Sequence, residues 1–179
     1  MNFKPFPILK TERLVLRQLT QYDKSAIFKL RSDARVNKYL DRSQPHHLDE
    51  VIAFINKINK GIERNESVYW AISLQNSDEL IGTICLWNFS NDQLTAELGY
   101  ELNPNFQRQG FMNEAIKHVI QYAFEIIGIK VIDAYTHKDN ESSIKTLVKN
   151  GFTWQVDKID EDNLNILIYS CYTELQRTD

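Results

Sequence analysis

Asn103-Pro104-Asn105-Phe106-Gln107-Arg108-Gln109-Gly110-Phe111-Met112 joins a strand to a long apolar helix. Upstream, Leu94 to Asn103 has strand character, and Pro104 ends it because proline cannot donate to a ladder. Downstream, Ala115, Ile116, Val119, Ile120, Ala123, Phe124 and Ile127 form one wide apolar stripe at helical spacing, with Gly128 as its C′ residue. The loop between them is polar and reaches a glycine where the helix begins. Such a loop turns several backbone N–H groups outward, and the helix dipole adds partial positive charge. The result is an anion site sized for a phosphate or pyrophosphate, with Gly110 permitting close backbone approach. The competing reading is a loop that leads into a helix and binds nothing, since every helix N-terminus carries the same groups.

Outward from this segment the periodicity gives an order of elements. Arg13 to Arg17 is a short apolar strand. Thr20 and Asp23 offer N-cap oxygens to a helix carrying Ala26, Ile27 and Leu30. Leu48 to Ile62 is a second amphipathic helix. Val68 to Leu74 and Leu80 to Phe89 form a hairpin around Asn76-Ser77-Asp78, and 94–103 continues the meander. After the apolar helix come a strand at Lys130 to His137, a short helix at Asn140 to Asn150 ended by Gly151, and strands at Phe152 to Ile159 and Asn165 to Glu174. The order is β-α-α-β-β-β-α-β-α-β-β. A helix between strands 94–103 and 130–137 implies one parallel crossover among antiparallel neighbours, so the fold class is α+β with a mixed sheet. Trp70, Trp87 and Trp154 read as sheet-packing residues, and 1–179 reads as one domain.

Composition removes whole classes of function. The 179 residues carry a net charge of −3, which disfavours a general nucleic-acid binder. No apolar run approaches the ~20 residues that span a bilayer, and the first residues lack a signal-peptide core. Cys85 and Cys171 make neither a disulfide framework nor a CxxC site and suit a cytoplasmic chain. The six glycines make no GxGxxG or P-loop, and the four histidines make no zinc motif, so no metal is expected. His46 and His47 read as exposed loop residues.

Gln107-Arg108-Gln109-Gly110-Phe111-Met112 resembles the Q/R-x-x-G-x-G/A signature of the GNAT N-acetyltransferase superfamily. Glu97-Leu98-Gly99-Tyr100, Asn113-Glu114-Ala115, Thr11-Glu12-Arg13-Leu14-Val15-Leu16-Arg17, Asp33-Ala34-Arg35-Val36 and Asn150-Gly151-Phe152 are similar to the ribosomal-protein alanine/serine (RimJ/RimL-like) branch. The resemblance runs from about Thr11 to near Glu174. Two departures stand out: Met112 occupies a position usually held by Gly or Ala, and Leu147 stands where many relatives carry a tyrosine that protonates the leaving thiolate.

The resemblance implies a GNAT fold, a central splayed sheet that is mostly antiparallel and flanked by helices. It implies acetyl transfer from acetyl-CoA to a primary amine, on a protein N-terminus or a small molecule, by direct attack. Pantetheine would lie between strands 94–103 and 130–137 against backbone groups of Leu102 and Asn103. The pyrophosphate would sit on Gln107, Arg108, Gln109, Gly110, Phe111, Met112 and Asn113, and Asn140 and Ser143 would stand beside the sulfur. A partly buried carboxylate suits a general base near neutral pH. Glu97 is the candidate base and Glu101, four residues on along the same strand face, its competitor. A backbone N–H near Leu102 would hold the oxyanion, and Ser143 would donate to the departing thiolate. Asn140 and Ser143 are equally explained as a helix cap. A homodimer is compatible with this picture, nucleic acid and membrane are not partners in it, and a non-catalytic acyl-CoA-binding module is the rival class.

Overall fold

The computed structural model describes residues 1–173. Val68–Leu74 (β3) and Leu80–Trp87 (β4) form the expected antiparallel hairpin. Thr95–Leu102 (β5) pairs antiparallel with β4 on one side. On the other lie Leu14–Gln18 (β2) and the two-residue Leu9–Lys10 (β1). Val131–His137 (β6), Ile166–Tyr172 (β8) and Thr153–Trp154 (β7) complete one sheet of order β1-β2-β3-β4-β5-β6-β8-β7. The pair β5–β6 is parallel, and among the described residues every other pairing is antiparallel.

The helices cover both faces, as β3 makes plain. Successive strand residues point to opposite faces. Tyr69 meets Phe54 of Leu48–Glu63 (α3) edge-on at 6.0 Å. Trp70 meets Tyr122, just past Phe111–Gln121 (α4), at 5.8 Å. Lys24–Ser32 (α1) and the single turn Ala34–Asn37 (α2) share the α3 face through Arg31, whose guanidinium lies over Phe54. Glu141–Lys149 (α5) shares the α4 face. The apolar stripe of α4 is buried through Ala115, Ile116, Val119 and Ala123. The helix then widens into a π segment, Tyr122–Ile127, before Gly128 closes it at φ +87°.

The sheet opens at one place. β5 and β6 stay in register only from Thr95 opposite Val131 to Glu97 opposite Asp133. Beyond that, β5 continues to Leu102 on β4, and β6 continues to His137 on β8. The two strands therefore diverge, and the backbone edge of β5 past Glu97 faces a gap.

Several sequence expectations need correction. The strand over 152–159 shrinks to Thr153–Trp154. After Gln155 the chain leaves the sheet, because Lys158 turns inward onto Asp133 at 2.7 and 2.9 Å, and Asp160 accepts from the amides of Asp162 and Asn163. β1 and α2 were not expected; at two and four residues they are too short for a periodic signal. Trp70 is fully buried, but Trp87 and Trp154 are about half exposed, at 49% and 54%. The expected end of the last strand at Glu174 lies outside the described residues.

Gly82 marks the tightest approach between β4 and β5. A Cβ there would lie 2.6 Å from the Glu101 carbonyl oxygen and 2.8 Å from Leu102 Cδ1. Gly82→Ala should cost about 1–3 kcal/mol in chemical denaturation, as overpacking does. Unchanged stability would mean that β5 is free to shift.

Candidate functional site

The segment after β5 is fixed by its own side chains. Asn103 Oδ1 accepts from the Asn105 amide, Gln107 Nε2 donates to the Leu102 carbonyl at 3.1 Å, and Gln109 Nε2 donates to the Asn105 carbonyl at 3.0 Å. Arg108 takes a left-handed conformation at φ +61° and Gly110 another at φ +83°. Glu114 N donates to the Gly110 carbonyl. The amides of Phe111, Met112 and Asn113 precede that bond and, as first-turn donors, point out of the helix. Met112 is buried, so its larger side chain packs into the core and leaves the cradle to backbone. Asn113 Oδ1 accepts from Asn150 Nδ2, which ties α4 to the end of α5. Of the expected polar side chains, Gln107, Gln109 and Asn113 are therefore engaged within the protein, while Arg108 is exposed.

Sequence reasoning missed the residue that organises this loop. The Arg13 amide and Nε both donate to the Glu114 carboxylate, at 2.8 and 2.7 Å, and Nη1 donates to the Gln109 carbonyl at 3.0 Å. The guanidinium lies 4.5 Å from the Phe111 ring centre, and a Cβ on Gly110 would be 3.3 Å from Nη2. Thr11 also donates to Glu114. Burial alone would raise the Glu114 pKa, but Thr11 and Arg13 hold it below its ordinary value. The Thr11–Arg17 motif is thus the brace of the anion loop, placing a cation beside outward amides.

In the splayed gap, strand alternation decides which groups are available. Asn103 N donates to the Ile81 carbonyl at 2.8 Å, so the amides of Glu101 and Gly99 also face β4. Those of Tyr100 and Leu102 face the gap. Asn103, expected to offer backbone groups there, does not: its amide is spent on β4 and its carbonyl accepts from Phe106.

At the far side of the gap, Asn140 caps α5 by accepting from the Ser143 amide at 3.2 Å. Ser143 Oγ lies 2.9 Å from the Tyr100 hydroxyl. Leu147 is fully buried and offers no donor.

The two candidate carboxylates, Glu97 and Glu101, differ sharply. Glu101 accepts from Arg42 Nη2 at 2.6 Å and lies 3.9 Å from Arg31 Nη1. It is committed to two guanidiniums. Among the described residues Glu97 has one hydrogen-bond partner, Asn88 Nδ2 at 2.5 Å. Burial raises its pKa, the Asn88 bond opposes this, and Asp133 and Asp160 raise it further. That environment favours a proton acceptor working nearer neutrality than an ordinary carboxylate. Gap and loop open into one groove of about 1070 Å³, walled by α2 and its following turn, Tyr135, His137 and Asp160. Tyr39 stacks on His137 at 5.4 Å across this groove. His46 and His47 are exposed and do not line it. No group of three or more His, Cys, Asp or Glu side chains suits a metal ion, and no helix is long and apolar enough to cross a membrane, among the described residues.

Comparison with known proteins agrees with this geometry. Residues 13–153 match the family model described as an acetyltransferase (GNAT) domain. The N-acetyltransferase YoaA of Bacillus subtilis (strain 168) is 36% identical over 147 residues, covering 82% of this chain and 83% of YoaA. The ribosomal α-N-protein acetyltransferase RimL, solved with coenzyme A, superposes with a TM-score of 0.80 at 21% identity, over 93% of this chain and 98% of that one. A GNAT-family acetyltransferase from Bacillus anthracis gives 0.77 at 22% identity, over 93% and 98%. At these identities the structures establish the fold.

The residues present fit acetyl-CoA. Outward amides and Arg13 suit its pyrophosphate, and the free edge of β5 suits its amide-bearing arm. Acetyl-CoA should raise the melting temperature by mass action. In Gly110→Asp the new carboxylate fills the cradle, and this rise should vanish. Arg13→Gln should weaken acetyl-CoA binding roughly tenfold in calorimetry, about 1.4 kcal/mol. Normal binding by Gly110→Asp would put the anion elsewhere.

Proposed function

This chain belongs to the GNAT family of acetyl-CoA-dependent N-acetyltransferases, and from that premise we propose that its acceptor is the α-amine of a protein N-terminus. The observation that carries the proposal is the surface around Glu97, which adjoins the groove where Leu98, Tyr135 and Asp160 line it. Trp87 and Tyr135 are 49% and 44% exposed there, and Glu97, Asp133 and Asp160 gather beside them. Trp87, Glu97 and Asp133 stand abreast on β4, β5 and β6. Asp133 is paired with Lys158, so Glu97 and Asp160 supply the charge that attracts the ammonium form of an amine, and exposed aromatic rings give a following peptide apolar surface. The likeness to RimL, an α-N-protein acetyltransferase, supports the same reading. One copy of the chain supplies every residue the proposal uses.

Acetyl-CoA supplies an acetyl group already activated as a thioester. The protein's part is to bind, orient and move protons. Glu97 takes the proton from the ammonium, directly or through one water, and Asn88 fixes the orientation of its carboxylate. The gap-facing amides of Tyr100 and Leu102 hold the acetyl carbonyl and the negative charge that develops on it. Ser143 donates a hydrogen bond to the sulfur. Glu101 holds the acceptor wall, because Arg42 also donates to Asn37 Oδ1 at the end of α2.

Glu97→Gln should lower kcat by ~10²–10⁴-fold and leave acetyl-CoA affinity nearly unchanged. The acid limb of the kcat/KM profile should lie above the ordinary Glu value of ~4.3. Asp160→Asn removes a negative charge that favours protonated Glu97, so the limb should move to lower pH. A limb that stays in place would separate Asp160 from the base. For the acceptor, free thiol release is measured with peptides bearing free N-termini, the same peptides N-terminally blocked, polyamines and small aromatic amines. The proposal expects kcat/KM highest for the free peptides and lost on blocking. A preference for polyamines or aromatic amines would overturn it.

A further inference from the structure

We infer that Tyr100 is a positioning residue that aims the Ser143 hydroxyl hydrogen at the thioester sulfur. The inference rests on the role given above to Ser143. It begins from the face of β5 opposite Glu97. Tyr100 alternates with Gly99 and Glu101, so its side chain leaves the carboxylate face and passes beneath the gap to α5. Its hydroxyl lies 2.9 Å from Ser143 Oγ, a contact in which either oxygen can donate, and its alternative acceptor, the Ser143 carbonyl, is farther away at 3.4 Å. A single residue of β5 thus reaches the first turn of the helix on the far side of the splay.

A serine hydroxyl carries one hydrogen and two lone pairs. If that hydrogen were given to Tyr100, none would be left for the sulfur. Tyr100 donating to Oγ reverses the arrangement: the serine accepts once, and its own hydrogen is free to turn toward the groove. Donation from the phenol also polarises the serine and strengthens its outgoing bond. Neither Asn140 Oδ1, which only accepts, nor the Leu147 side chain can give Oγ a hydrogen. Asn140 Oδ1 is occupied by the Ser143 amide, and Leu147 is aliphatic and buried. Burial pushes the Tyr100 pKa up to about 12, above the ~8.5 of an ordinary thiol. Tyr100 therefore keeps its proton throughout. Once the amine nitrogen has bonded to the acetyl carbon, the C–S bond breaks, its electron pair goes to sulfur, and the thiolate leaves hydrogen-bonded to Ser143. The proton it finally takes is the one lost by the amine.

The test reads an equilibrium property as well as a rate. In the complex with CoA, the bound thiol is titrated by its ultraviolet thiolate absorbance, as a difference against the complex with the analogue lacking sulfur. A donor aimed at sulfur favours the thiolate, so the bound thiol should titrate below free CoA. Tyr100→Phe keeps the ring and removes the hydroxyl. It should raise the bound thiol pKa by roughly half to one unit and lower kcat roughly tenfold, with acetyl-CoA affinity and melting temperature nearly unchanged. Ser143→Ala should do at least as much. In the double variant, Tyr100→Phe should add nothing to Ser143→Ala. Site-specific difluorotyrosine at 100, a stronger donor of nearly native shape, should shift the thiol pKa further down.

A thiol pKa that moves with Ser143→Ala but not with Tyr100→Phe overturns the inference and leaves Ser143 in its role. Effects that multiply in the double variant overturn it too, since Tyr100 would then act by another route. No movement with either variant removes both roles. The titration uses no acceptor, so failure of the proposed acceptor class shows separately, in the peptide panel.

Discussion

A strand residue directs its amide and carbonyl to one neighbouring strand, and the next residue directs them to the other. In β5 this alternation is what the site is built on. The ladder to β4 runs to Leu102 and is extended by Asn103, whereas the ladder to β6 ends at Glu97. Gly99 and Glu101 therefore direct their backbone groups to β4, while the amides of Tyr100 and Leu102 are turned into a gap. The same alternation sorts the side chains. Glu97 and Glu101 lie toward α1 and α3, and Tyr100 lies toward α5. One strand presents a proton acceptor above the gap, hydrogen-bond donors within it and a phenol beneath it.

The gap is useful only if its walls hold still. β4 holds β5 along its length, with Gly82 allowing the closest approach. Lys158 and Ser170 hold Asp133 at the point of divergence. The anion loop is held from outside by Arg13, which joins the start of β2 to Glu114 and Gln109. Two charged groups, Glu101 and Glu114, are thus structural because each is committed to arginine. Among the described residues Glu97 is bonded to an amide alone and has two carboxylates nearby, which is why it is the one suited to moving a proton.

Local pattern made much of the fold legible. β3 falls on the expected residues, Gly128 and Gly151 close their helices at positive φ, and the parallel crossover follows from a helix lying between two strands of one sheet. The anion loop was legible because a polar loop before an apolar helix is a local signal. Contacts distant in sequence were not. Arg13 and Glu114 are 101 residues apart, and Tyr100 and Ser143 are 43 apart. Tyr100 could have been placed on the face opposite Glu97 by period-two counting, but nothing local names its partner. Asn103 was misjudged because the parity of a ladder is fixed by the pairing register, which composition does not encode. The strand over 155–159 is absent because Lys158 turns inward onto Asp133, a partner 25 residues away that no local pattern names.

The central claim is that the β5 edge past Glu97 is held open for the arm of acetyl-CoA. Amide hydrogen exchange reads this most directly, residue by residue, with and without CoA. The account predicts that the amides of Tyr100 and Leu102 exchange readily in the free protein and become strongly protected on binding. Those of Gly99 and Glu101, already bonded to β4, should be protected in both states. Protection that leaves Tyr100 and Leu102 unchanged, or that falls equally on all four, would contradict it.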